Sequence, residues 1–141
     1  MCGITGVFNH ANAFGQVKTA LAILHNRGKD GVGISNFHEV QHHHNINKFY
    51  PLPGKCVMGH SLHAVVDHIP QPLKGKGILV ANCEIYNWEK LNIKYKFNAH
   101  NDAELLLSLL DKYGIEKLEE LDGVYALAYW NQENLYLARD I

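Results

Sequence analysis

The chain has 141 residues, of which 47% are hydrophobic and 19% charged, with a formal net charge of −1. That is the length of one ordinary domain with enough apolar side chains for a core, which argues against disorder. A near-neutral balance also gives no field for gripping nucleic acid or an anionic membrane.

No window approaches the roughly 18 consecutive apolar residues of a membrane span. The start, MCGITGVF, lacks the basic segment and apolar run of a secretory signal. Cys2, Cys56 and Cys83 are too widely spaced for a CxxC zinc pair, and an odd count is no disulfide framework. Together these features point to a cytoplasmic, reducing compartment.

Residues 2–8 alternate small and apolar side chains and read as a short buried strand. Residues 9–15 are loop-like. Residues 16–25 place Val17, Ala20, Leu21 and Leu24 at helical spacing, and a turn at Arg27-Gly28 ends that helix. Residues 31–36 resume as a strand. The polar, histidine-rich stretch 38–54, closed by Pro51 and Pro53, reads as a surface hairpin or loop. Residues 57–66 are strand-like, 67–77 a loop, and 78–83 a short buried strand. Residues 101–113 give the clearest helix: Leu105, Leu106, Leu109, Leu110 and Tyr113 share one apolar face, and Gly114 sits where a C-cap glycine belongs. A second short helix covers 115–121, and strands follow at 124–130 and 135–139. Strands flanked by helices in one core predict a layered α/β or α+β domain.

The N-terminus carries the clearest chemistry. Removal of Met1, which a small penultimate side chain permits, gives Cys2 both a thiol and a free α-amine. Such amines titrate at roughly 7.7–8.0 and free thiols at about 8.5. The amine can therefore take the thiol proton near neutral pH, so nucleophile and base share one residue. From the dipeptide alone, the simpler reading of Cys2 is a small buried apolar residue. The run His42, His43 and His44, with His38 nearby, invites a metal reading. Successive strand residues face opposite sides, so only His42 and His44 could converge, with Glu39 the one added carboxylate. A solvated loop is the simpler reading, and no metal is expected.

Eight segments taken together carry a resemblance: MCGITGVF at 1–8, NRGKDGVGIS at 26–35, GHSLHAVVD at 59–67, QPL at 71–73, NCEIYNW at 82–88, NDAELLL at 101–107, LDGVYALAYW at 121–130 and LARD at 137–140. In this order and spacing the whole chain, residues 1–141, resembles the glutaminase domain of asparagine synthetase, a class II glutamine amidotransferase. The resemblance implies the N-terminal nucleophile hydrolase fold, an α+β four-layer αββα sandwich of two antiparallel sheets flanked by helices. It also implies hydrolysis of glutamine to glutamate and ammonia through a thioester on Cys2.

Carried over residue by residue, the resemblance gives Asn82 and the backbone N–H of Cys83 as oxyanion donors. Glu84 and Asp102 would bind the substrate's α-ammonium, Val65 and Val66 would line the pocket, and Arg27 would pin the loop near Cys2. Each has a plainer alternative. Asp102 fits the first turn of a helix, Asn82 a turn, Glu84 a solvated charge, and Arg27 a helix C-terminal contact. His60 falls at the family's G-H position and reads as structural.

Two departures bear on the substrate pocket. Leu62 stands where the family's G-H-x-R-L motif has the arginine that grips the α-carboxylate. Losing one charge-assisted hydrogen bond costs about 1.5–3 kcal/mol. His63 could substitute, but strand alternation would point it to the other face unless a bulge intervenes. Cys83 stands where the family has glycine. It keeps the N–H donor but would be strained if the position needs positive φ, would crowd the pocket, or would offer a second thiol near Cys2. Asn26 and Lys29 replace the His and Pro of HRGPDG.

The family's following synthetase domain, with its phosphate-binding motif, has no counterpart here. No cofactor is expected for this chain, with ATP and Mg reserved for a synthetase domain or subunit acting as partner. The small-molecule substrate is glutamine, and a homodimer stays open. Three functions stay open as well: active glutaminase, a catalytically impaired module that binds or regulates a partner, and an amidohydrolase of a different amide.

Overall fold

The computed structural model of the chain describes residues 1–64 and 68–141. It divides into two compact units, residues 1–72 and 73–141. Each unit is one antiparallel four-stranded sheet with helix packed on it, so the chain is α+β with two antiparallel sheets and flanking helices, as the resemblance implies. No helix among the described residues is long and apolar enough to cross a membrane.

The first unit contains β1 (Gly3–Val7), α1 (Ala13–Leu24), β2 (Gly31–Ser35), β3 (Val40–His43) and β4 (Val57–Leu62). Its sheet order is β1-β4-β2-β3, with Gly3 opposite Ser61 and Gly31 opposite Leu62. Ala13, Val17 and Leu21 lay one stripe of α1 on Val32, Ile34 and Val57, the i, i+4 spacing that an apolar face requires. Gly59 makes the close approach feasible, because a Cβ there would come within 2.7 Å of Val17 Cγ1. The helix starts three residues earlier than its periodicity predicts. Ala13 is already in the core, and Asn12 makes no side-chain cap to mark the start.

The histidine-rich stretch takes the hairpin form of its two readings, and one other expectation changes in this unit. Val40–His43 pairs with β2 in a hairpin, closed by Asn36, whose Oδ1 accepts the Glu39 N–H at 2.9 Å. The strand expected over 57–66 ends at Leu62, because the next two N–H groups are taken by side chains: His63 N–H by Cys2 Sγ and Ala64 N–H by Asp30 Oδ2.

The second unit contains β5 (Leu73–Lys74), β6 (Ile78–Ile85), α2 (Trp88–Tyr95), α3 (Asp102–Tyr113), β7 (Gly123–Trp130) and β8 (Leu135–Arg139) in the order β5-β6-β7-β8. Helix α3 starts where its signals say. Asn101 Oδ1 accepts the Glu104 N–H at 2.9 Å, and Glu104 Oε2 accepts the His100 N–H at 2.8 Å, a reciprocal cap. Leu106 and Leu110 pack on Leu79, Ala81, Leu127 and Tyr129, while Leu105 and Leu109 meet Leu91 of α2. Tyr113, expected on that buried face, is 39% exposed; it stands against the Tyr95 ring instead, centroids 4.9 Å apart. Residues 115–120 form a 3₁₀ helix rather than an α-helix.

Helix α2 has no strong sequence signature. Only Leu91 is buried along it, Ile93 is 79% exposed, and its C-cap is the left-handed Lys96 rather than a glycine. Beside the packing of Leu91 on α3, it is fastened through Glu120. That carboxylate accepts from Lys94 Nζ and Lys117 Nζ, each at 2.6 Å, and from Tyr95 Oη at 2.7 Å. Lys117 first, then Lys94 and Tyr95, pull the Glu120 carboxyl from 4.5 down to about 2. A folded value below the unfolded one means the contribution is complete above pH 4.5 and lost as pH falls towards 2. Urea unfolding across that window should therefore show a steeper acid loss in the wild type than in Glu120→Gln. Parallel curves would disprove the assignment.

Candidate active site

The site residues fall into two sets, one in each unit. In the first, Cys2 directly precedes β1, whose pairing places it beside the end of β4. The His63 N–H donates to Cys2 Sγ at 3.4 Å, and the thiol reaches His63 O at 3.8 Å. Arg27, in the turn after α1, donates Nε–H to Cys2 O at 3.2 Å. This turn is held against β4 at several points. Asp30 N–H donates to Leu62 O at 3.0 Å, Asp30 Oδ2 accepts from Ala64 N–H at 2.8 Å, and Ser61 Oγ donates to Gly28 O at 2.7 Å. Gly28 lies so close that a Cβ there would come within 2.5 Å of Leu62 C and O.

Leu62, for which the resemblance implies an arginine position, is 6% exposed and apolar, so it can neither pair with nor hydrogen-bond a carboxylate. His63 needs no bulge to escape strand alternation, because it lies beyond the strand. Its half-exposed imidazole stands 3.6 Å from Asp30 Oδ2. Val65 and Val66 lie outside the described residues.

In the second unit, Asn82, Cys83 and Glu84 are consecutive on β6. Period two puts Asn82 and Glu84 on one face and Cys83 on the other. Cys83 packs with Leu79, Ala81 and Leu106 on the α3 side, so its side chain does not crowd the Asn82–Glu84 face. It pairs regularly with Tyr125 and is not among the residues of positive φ, so the strain considered for a cysteine here does not arise. None of the three cysteines forms a disulfide.

Asp102 opens α3 and reaches across to β6. Its Oδ2 accepts the Ile85 N–H at 3.0 Å and its Oδ1 the Ala103 N–H at 2.8 Å. Both oxygens keep further lone-pair capacity, so capping and ligand binding are compatible. The Ile85 N–H turns away from β7, while the Tyr86 N–H turns towards it, to Asp122 O at 2.7 Å. Two residues back from Ile85, the Cys83 N–H points to the same edge, the one on which β5 pairs with Ile78 and Leu79. Glu84 is exposed on its face. Opposite Ile85, Gly123 permits closure of the strand pair, since a Cβ there would come 2.2 Å from Glu84 O.

The histidine run does not converge. His42 Nε2 lies 3.1 Å from Pro72 O, and His44 Nδ1 lies 3.2 Å from Asp30 O. Burial holds His42 below the usual imidazole range. No group of three or more metal-capable side chains occurs among the described residues. Asp30, Ser61 and the His63 peptide are supporting groups that the motifs do not single out, although Asp30 lies inside NRGKDG.

A family described as a glutamine amidotransferase domain matches residues 1–141. The chain is 33% identical to the glutamine-hydrolysing asparagine synthetase of Bos taurus, over 99% of this chain and 25% of that protein. It is 32% identical to the Homo sapiens asparagine synthetase, again over 99% of this chain and 25% of the other. It thus spans about a quarter of the length of these relatives. The glutamine phosphoribosylpyrophosphate amidotransferase of B. subtilis, complexed with ADP and GMP, aligns with a TM-score of 0.81 over 99% of this chain and 37% of that chain. At 22% identity that likeness is one of fold.

Gly28→Ala should push the 27–30 turn off β4 and cost about 1–3 kcal/mol, the usual toll of overpacking. Urea unfolding reads the loss, and a midpoint equal to wild type would contradict the close approach.

Proposed function

Because the chain belongs to the glutamine amidotransferase domain family, with relatives among the asparagine synthetases, we propose that it hydrolyses glutamine to glutamate and ammonia through a thioester on Cys2. The observation that carries this reading is the seat of Cys2. Its thiol meets a backbone N–H, and its carbonyl is held by Arg27 Nε–H at 3.2 Å. Met1 is 73% exposed, so the bond whose cleavage frees the Cys2 amine is open to a peptidase.

In the proposed reaction the amine takes the thiol proton and the sulfur attacks the carboxamide carbon. The C–N bond then breaks and nitrogen leaves as ammonia with that proton. Water cleaves the thioester, releasing glutamate and restoring the thiol. The oxyanion of each step would be met by the Asn82 amide and the Cys83 N–H. In support, that N–H points to the edge of β6 away from β7, and the Cys83 side chain packs on the opposite face from Asn82. Glu84 and Asp102 would bind the α-ammonium, with Val65 and Val66 along the pocket. The chemistry asks for no cofactor in this chain. Ammonia would pass to a synthetase domain or subunit, where ATP and Mg would act, and the working compartment would be the cytoplasm.

Leu62 favours two other readings. An apolar, buried residue in place of the carboxylate-binding arginine fits an amide substrate without that carboxylate, or a module that binds a partner without turnover. Assay of the purified chain against glutamine and simple amides separates these readings. For glutamine hydrolysis, Cys2→Ala should abolish glutamate release, and Asn82→Ala should lower kcat about 10²–10³-fold. Intact mass should show Met1 absent. A wild-type chain that releases no glutamate and is not labelled at Cys2 by a glutamine-like electrophile would sink the proposal.

A further inference from the structure

Cys2 is flanked by both polar groups of one peptide residue. The His63 N–H stands 3.4 Å from Sγ and its carbonyl 3.8 Å away. A thiol can donate to that carbonyl, and a thiolate can accept from that N–H, so residue 63 serves either protonation state. What holds residue 63 in place is Asp30. One oxygen of its carboxylate, Oδ2, accepts the Ala64 N–H at 2.8 Å and stands 3.6 Å from His63 Nδ1. The Asp30 backbone adds a donated bond to Leu62 O at 3.0 Å. Three successive residues, 62 to 64, are therefore tied to Asp30.

We propose that Asp30 and His63 form a positioning pair that presses the residue 63 N–H onto Cys2 and so supports the thiolate of the nucleophile. Neither side chain touches the reacting atoms; both act through the backbone. Among the described residues, these charged and titratable groups lie around the pair. Arg27 is on Cys2 O, Lys29 borders Asp30 in the turn, and His44 Nδ1 is 3.2 Å from Asp30 O. The His68 ring stands 5.8 Å from that of His44. Arg27 and His44 meet backbone carbonyls rather than the Asp30 carboxylate, so the His63 imidazole is its cationic partner when protonated. The pair explains why the strand stops at Leu62: the carboxylate takes the bond that a further strand residue would have made.

The inference deepens the proposed role of Cys2 but is read from thiol reactivity alone. A chain that fails to hydrolyse glutamine leaves its outcome intact. The measurement is the rate of Cys2 alkylation by iodoacetamide in the full chain. Mass spectrometry of the Cys2 peptide separates it from Cys56 and Cys83, and circular dichroism confirms folding. Asp30→Asn should slow alkylation about tenfold at pH 7, the worth of one hydrogen bond to a charged acceptor, and leave the rate at pH 10 unchanged. His63→Gln, which keeps the N–H and loses only the ring, should slow it about threefold at pH 7. If Asp30→Asn does not fold, His63→Gln decides alone. Equal slowing at both pH values would mean altered access rather than thiolate support. That result, or unchanged rates at pH 7, would overturn the inference.

Discussion

The end of β4 is fixed by competition for two backbone N–H groups. A seventh and eighth strand residue would have donated to a neighbouring strand. Instead the N–H of His63 goes to a thiol and that of Ala64 to a carboxylate. Backbone donors that leave a sheet find other acceptors, and here side chains supply them. The turn at 27–30, the absence of a Cβ at Gly28 and the seat of Cys2 all follow from that exchange.

The second unit solves a similar problem in a different way. Strand β6 pairs along its full length with β7, but β5 meets only its first two residues on the other side. Asp102 takes the last outward N–H of that edge while starting α3. A single carboxylate thereby joins a strand end to a helix start. Alternation along β6 separates a face bearing Asn82 and Glu84 from one that packs Cys83 into the core. The same alternation gives the Cys83 side chain room at a position for which the resemblance implies glycine.

Features with a strong local cause were legible in the sequence. Helix α3 was, because Asn101, Glu104 and Gly114 cap it and four leucines repeat at its period. The strands β6, β7 and β8 were, because they are apolar or alternating runs. Helix α2 was not, because its one buried side chain leaves no stripe and its fastening lies at Glu120, some 26 residues beyond Lys94. Strand β3 was legible only as a hairpin-or-loop alternative, because a polar run carries no apolar pattern; His42 within it and His44 just beyond it set ring nitrogens against the carbonyls of Pro72 and Asp30, remote in sequence. Of the candidate site, Cys2, Asn82, Glu84 and Asp102 could be named from motif order. The part played by His63 could not, because it is made by a backbone N–H that every residue but proline carries.

The double attachment of Asp102 links local motion to occupancy. The carboxylate that would meet a cation also closes the Ile85 amide and begins α3. Opening of that amide through movement of Asp102 would also release one of the bonds at that helix start. Anything bound through Asp102 only in its closed arrangement would make the opening rarer, in proportion to its saturation. The exchange of one backbone hydrogen in a strand would then report on the filling of a pocket whose ligand it never touches.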